Sequence, residues 1–132
     1  MSVALPPALA SLRRLMRSCD SDGVASHDLR QWDSLIRLAR HANLLGSVAD
    51  ALDASGALGA VPPGPRVHLE SALALARQQS VSVRWEAHKL CAALREPAER
   101  LVLLKGAAYL AEGLPFAGGR MFSDVDILVP DS

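Results

Sequence analysis

The helical pattern of this chain gives way to strands at residues 101–130, which read LVLLKGAAYLAEGLPFAGGRMFSDVDILVP. The apolar run at 101–104 is bounded by charged residues and predicts a buried strand. Residues 107–112 predict a short helix, because a glycine and then a proline follow it. The two adjacent glycines further on indicate a loop, and residues 123–129 predict a second strand that ends at Pro130. This order predicts the opening of an α/β domain with two neighbouring strands.

The direction in which the two strands pair is not fixed by this pattern. A helix crosses between them, so we expect them to run parallel, but the connection is short enough to allow antiparallel pairing as well. Two strands are too few for a stable sheet. Residues 98–132 are therefore expected to be the truncated start of a larger domain.

Residues 1–97 are predicted to form a helical region. The expected helices span about 7–17, 26–43, 47–55 and 66–95, with a loop at 20–23. Ser26 is the expected N-cap of the second helix, and Leu29 is expected on the apolar face of that helix. The last of these helices carries a single apolar seam at alternating spacings of four and three. Its members are Leu69, Leu73, Ala76, Ser80, Val83, Ala87, Leu90 and Leu94. The seam needs a packing partner, for which we expect the second and third helices. Helices followed by strands predict an α+β fold that is mostly helical.

Length and charge exclude several classes of protein. The chain has 132 residues, room for one domain or a domain with an appendage, and its formal net charge is +0 at pH 7. A balanced charge gives no strong signal for a nucleic-acid partner or for a membrane surface. There is no uncharged apolar run of about 18 residues that would span a membrane. The two cysteines lie far apart in the sequence and cannot build a disulfide framework. We expect a cytoplasmic protein.

Asp124 and Asp126 are the residue pair best suited to take part in a chemical reaction. In a strand, residues two apart point to the same face, about 7 Å apart along the chain. Two carboxylates on a rigid strand suit Mg²⁺, which prefers oxygen ligands and substrate phosphates. The apolar residues that alternate with them, Val125, Ile127 and Val129, are expected to face a core. A strand end with solvated acids is the alternative, and it is the more frequent explanation of an isolated Asp-x-Asp.

Lys105 and Gly106 form a turn after the first strand that suits an anion. Glycine lets the backbone approach a ligand closely, and the following helix offers unpaired amide groups. Arg120 and Ser123 lie just before the acid pair. The Arg120 guanidinium has two expected partners, Asp124 or a phosphate group. The alternatives are an ordinary strand-to-helix turn with a solvated lysine and, for Arg120, a surface salt bridge.

Taken together, the Leu-Lys-Gly turn, the Gly-Arg before the acids and the Asp-Val-Asp-Ile-Leu-Val strand resemble the uncharacterised nucleotidyltransferase family of the DNA polymerase beta superfamily. The resemblance covers about residues 101–130, and members of that family also carry a helical region upstream. It implies that Asp124 and Asp126 bind the catalytic Mg²⁺. It further implies that Lys105, Gly106, Arg120 and Ser123 lie around the phosphates of a nucleoside triphosphate.

Two departures from the superfamily pattern bear on activity. The usual Gly-Ser or Gly-Gly turn is replaced by Lys105-Gly106, so a serine hydroxyl is missing there. The superfamily also needs a third carboxylate on a later strand, and this sequence stops at Ser132. The catalytic set is therefore expected to be incomplete, as in a fragment.

Two functions stay open from the sequence. The first is a nucleotidyltransferase that transfers a nucleotidyl group from a nucleoside triphosphate to an unknown acceptor, a protein or a small molecule, with Mg²⁺. The second is a non-enzymatic helical module that binds another protein. In either case the unpaired strand edge predicts self-association of this chain.

Overall fold

The computed structural model describes residues 4–95 and 100–129. It is mostly helical with one small sheet, which confirms the predicted α+β class. The elements are α1 (Pro7–Arg17), α2 (Ser21–Ala25), α3 (Leu29–His41), α4 (Leu45–Ala54), α5 (Pro63–Ala93), β1 (Val102–Leu104), α6 (Lys105–Ala111) and β2 (Asp126–Leu128). Single 3-10 turns lie at Leu58–Ala60 and Pro115–Ala117. Among the described residues, no helix combines the length and the apolar character that a membrane crossing requires.

The starts of α2 and α3 follow capping aspartates, and two predictions near residue 26 are wrong for that reason. The Asp20 side chain accepts a hydrogen bond from the Gly23 amide, so the expected loop at 20–23 becomes the first turn of α2. The next helix begins after Asp28 and not after Ser26. Asp28 forms a complete capping box with Gln31, which satisfies two amide groups at once and outcompetes the serine.

Helices α1, α3 and α4 pack with the first half of α5 around the larger of two apolar cores. Trp32, Leu35 and Leu52 are completely buried there. Leu29, which was expected on the buried face of α3, is 64% exposed because it lies at the first position of the helix, at the edge of the core. Leu35 occupies the buried face in its place.

Helix α5 belongs to both cores, and its predicted seam is confirmed at five of the eight expected positions. Ser80 and Leu90 are only half-buried, and Leu94 lies beyond the end of the helix. Buried residues recur along it at Leu69, Leu73, Ala76, Val83 and Ala87. It begins at Pro63, earlier than expected, because prolines fit the first turn of a helix. The first core reaches along α5 to Leu73, whereas Val83 belongs to a second core with Ala107, Leu110 and Ala117. The partly buried Leu103, Tyr109, Phe122 and Val125 pack against the second core.

The two strands are adjacent but antiparallel, so the expected parallel pairing is wrong. Val102 pairs with Leu128, Leu103 with Ile127 and Leu104 with Asp126. The loop after α6 is held against α4 and α5, and it returns to the Lys105 end of β1 before β2 begins. The first residue of β2 therefore meets the last residue of β1, which is the antiparallel arrangement.

The second strand is also shorter than predicted. Its ladder begins at Asp126, so Asp124 lies in the segment before the strand. Val125 packs against the second core as expected, but Val129 is 40% exposed because it lies beyond the end of the ladder.

Candidate functional site

The end of β1 and the start of β2 bring a lysine and a carboxylate together. Because Leu104 lies opposite Asp126, the next residue along, Lys105, is beside that carboxylate. The Lys105 Nζ lies 2.8 Å from Asp126 Oδ2, and the lysine side chain is 76% exposed. The hydrogen bond to Asp126, together with the charge of that carboxylate, raises the pKa of Lys105. The lysine is therefore held as a cation at this position.

Asp124 adds negative charge to the same place. It is exposed, and its charge also contributes to the raised pKa of Lys105. The two acids thus act on one cation, although only Asp126 belongs to the strand. The expectation that a single strand would carry both carboxylates is corrected accordingly, because the ladder starts at Asp126.

The backbone of the Lys105–Gly106 turn has an unusual conformation. Lys105 has φ 51, in the left-handed region that residues with a side chain seldom adopt. At Gly106 the missing side chain makes room for the Phe122 ring, since a Cβ there would lie 2.6 Å from Phe122 Cδ1 and 2.7 Å from Cε1. The glycine is thus required by packing. Its predicted approach to a phosphate stays a prediction.

Arg120 and Ser123 are both exposed, and Ser123 directly precedes Asp124 in the chain. The Arg120 guanidinium lies over the ring of Tyr109, 5.6 Å from its centroid. It makes no ion pair with Asp124, although both residues are described. Arg120 also lines a cavity of about 790 Å³ between α4 and the loop before β2, where Asp50 and Phe116 form part of the wall. The cavity leaves room for a ligand within reach of that guanidinium.

Sequence reasoning missed the residues that hold this loop in place. The Gln79 side chain on α5 accepts a hydrogen bond from the Phe122 amide at 3.0 Å. The backbones of Gly46 on α4 and Gly119 lie so close that neither residue has room for a Cβ, and Gly119 has φ 69. One signal was present in the sequence: a polar residue, Gln79, beside the apolar seam of α5. Gly46 gave none, because it is the second residue of α4 and lies outside the helix expected at 47–55.

Both acids offer carboxylate oxygens, which are the type of ligand that a divalent cation such as Mg²⁺ binds. Asp126 is partly exposed and already holds one cation, the ammonium group of Lys105. Carboxylate oxygens with open positions for water and phosphate are what Mg²⁺ requires. Within residues 4–95 and 100–129, no group of three or more His, Cys, Asp or Glu side chains is arranged to hold a metal. Asp124 and Asp126 would therefore supply only part of a coordination shell.

The chain has a helical region followed by a strand–helix–strand unit, with one acid just before the second strand and one at its first residue. This is the arrangement expected of the nucleotidyltransferase class. Residues 28–132 match the model of the uncharacterised nucleotidyltransferase family, and the chain belongs to that family. The match begins at Asp28, the capping residue of α3, so it includes most of the helical part. No curated protein and no solved structure gives a significant match to the chain.

Proposed function

We propose that this chain supplies the nucleotide- and metal-binding part of a nucleotidyltransferase, which transfers a nucleotidyl group from a nucleoside triphosphate to an unknown acceptor. The observation that carries the proposal is the meeting of Lys105 with Asp126 at 2.8 Å, with Asp124 acting on the same lysine. Family membership supports the same reaction class. The proposed anion site and the carboxylate pair thus meet where β1 ends and β2 begins.

The proposed roles follow from the chemistry of each side chain. Asp124 and Asp126 would hold Mg²⁺, which when bound supplies positive charge that stabilises the leaving pyrophosphate. Lys105, once released from Asp126, is long and exposed enough to meet a phosphate oxygen. Arg120 provides a planar guanidinium that pairs with phosphate through two hydrogen bonds. The amide of Gly106 and the Ser123 hydroxyl are further donors beside the same position.

A binding experiment tests this proposal. The protein is titrated with a nucleoside triphosphate in the presence and absence of Mg²⁺, and Asp126→Asn is compared with the unsubstituted chain. We expect Asp126→Asn to abolish the Mg²⁺-dependent binding, because the neutral amide oxygen of asparagine lacks the negative charge with which a carboxylate attracts a hard cation. The matched control is Asp33→Asn, which removes an exposed carboxylate 3.0 Å from Arg37 on α3. Equal affinity in all three proteins would contradict the proposal.

One observation favours the alternative function, a helical interaction module. Val81 and Trp85 lie one turn apart on α5 and are 68% and 64% exposed. An exposed aliphatic–aromatic pair of this kind suits a protein partner. If the unsubstituted chain binds no nucleoside triphosphate at any Mg²⁺ concentration, this alternative takes the place of the proposal.

A further inference from the structure

Gln79 lies where the two cores of the molecule meet along α5. The first core extends along this helix to Leu73, and the second includes Val83. Gln79 is half-buried between them, one turn before Val83. A polar side chain at such a place needs a hydrogen-bond partner, since an unpaired buried polar group is costly.

The partner of Gln79 is a backbone amide 43 residues away. Gln79 Oε1 accepts from the Phe122 N–H at 3.0 Å, and the contact is partly buried. The ring of the same phenylalanine covers Gly106. A single hydrogen bond thus connects α5 with the residue that packs on the Lys105–Gly106 turn.

The same bond fixes one end of the segment that carries Asp124. On the far side, Asp126 is fixed by the ladder opposite Leu104. Between Phe122 and Asp126, Val125 packs on the second core, whereas Ser123 and Asp124 are exposed. The Phe122 amide is therefore the anchor on the N-terminal side of Asp124.

We propose that Gln79 is a positioning residue for the acid pair: by holding the Phe122 amide, it sets where Asp124 lies relative to Asp126 and Lys105. This inference rests on the proposed function, because it assigns a purpose to the geometry of a nucleotide site. Gln79 itself touches neither the lysine nor the acids. Its effect on binding passes through Phe122.

The test compares three variants of the full chain. Gln79→Met keeps the length of the side chain but removes the acceptor, Gln79→Glu keeps an acceptor oxygen, and Gln78→Met changes the exposed neighbour. The affinity for Mg²⁺ and a nucleoside triphosphate is measured by calorimetry, below the unfolding temperature of every variant. We expect Gln79→Met to weaken binding about tenfold, as the loss of one hydrogen bond allows. Gln79→Glu and Gln78→Met should bind like the unsubstituted protein.

Three results decide the question. Unchanged affinity in Gln79→Met would overturn the inference while leaving the proposed function intact, as would a Gln79→Glu variant that binds as weakly as Gln79→Met. If the unsubstituted protein does not bind, the proposed function fails and the inference fails with it.

A measurement on the unsubstituted protein is independent of whether the variants fold. Amide hydrogen exchange at Phe122 should be slow, and slower still with Mg²⁺ and nucleoside triphosphate. Fast exchange that ligand does not change would overturn the inference.

Discussion

Lys105 combines an unusual backbone conformation with an ion pair to an acid of the candidate site. Its ammonium occupies the carboxylate to which a divalent cation would bind, so the two cations compete for Asp126. Because Asp126 raises the pKa of Lys105, this ion pair is fully present below the ordinary lysine pKa and is lost as the pH rises through the raised value. At neutral pH the Lys105 ammonium group is therefore expected to compete with a divalent cation for Asp126.

We predict that Lys105→Met strengthens the binding of Mn²⁺ alone and weakens the binding of the Mg²⁺–nucleotide complex. The first effect follows from removing the competing ammonium group, and the second from losing a phosphate partner. Electron paramagnetic resonance of free and bound Mn²⁺ measures the first, and calorimetry measures the second. Lys89→Met is the control, because it also removes an exposed lysine. The Lys89 ammonium group lies over the Trp85 ring on α5 and not beside Asp126. A Lys105→Met variant with unchanged Mn²⁺ affinity would show that the ammonium does not compete.

Gly106 provides the second prediction at this scale. A Cβ at this position would lie 2.6 Å from Phe122 Cδ1, so the ring must move in Gly106→Ala. We expect a loss of about 1–3 kcal/mol in the free energy of unfolding, as for other overpacked sites. Gly64→Ala, in the first turn of α5, meets no atom within 4 Å and should be neutral or stabilising. Urea denaturation of both variants makes the comparison, and equal stabilities would argue against the packing of Phe122 on Gly106.

At the scale of elements, the contact between α4 and the loop before β2 leaves no room for a larger residue. Gly46 and Gly119 meet backbone to backbone, and a Cβ at Gly46 would run into the Gly119 carbonyl group. We predict that Gly46→Ala lowers the free energy of unfolding by about 1–3 kcal/mol, because two backbones must separate. Gly59→Ala, which has open space around it, is the control. Thermal unfolding of the two variants should differ clearly, and a Gly46→Ala midpoint equal to that of Gly59→Ala would contradict the contact.

The elements that the sequence predicts well are those that depend on local pattern. The seam of α5 follows from apolar spacing within one helix, and the capping box at Asp28 is visible in the sequence even though Ser26 was the residue expected to cap. The direction of strand pairing depends instead on where the loop is held. The loop is in contact with Gln79 and Gly46, which lie far from the strands in sequence. Spacing rules do not report such contacts.

For the candidate site too, one part of the arrangement could be predicted from the sequence and another part could not. The sequence places the Lys-Gly turn at the end of the first strand and the acids near the start of the second. In the structure these two positions meet, and Lys105 pairs with Asp126. The packing of Phe122 on Gly106 and the position of Arg120 over Tyr109 depend on the course of the loop. No local pattern specifies that course.

For the whole molecule, the feature that matters most is the exposed apolar face of the small sheet. Val102 and Leu128 form a pair on one face, and they are 49% and 56% exposed. The other face carries Leu103, which packs against the second core, and its partner Ile127 is half-buried. A two-stranded sheet also has open edges that can pair with another chain. The chain is therefore expected to self-associate through this sheet.

We predict that Leu128→Lys keeps the chain monomeric, because it places a charge on the exposed face without disturbing the second core. Ile127→Lys, one residue away, changes the half-buried face instead and should lower the free energy of unfolding, since burying an unpaired charge is unfavourable. Light scattering over a range of concentrations measures the first effect, and urea denaturation the second. If the unsubstituted chain is monomeric at every concentration, the exposed face does not drive association. If both lysine variants associate equally, contact must occur elsewhere, and the exposed pair Val81 and Trp85 on α5 is then the next surface to change.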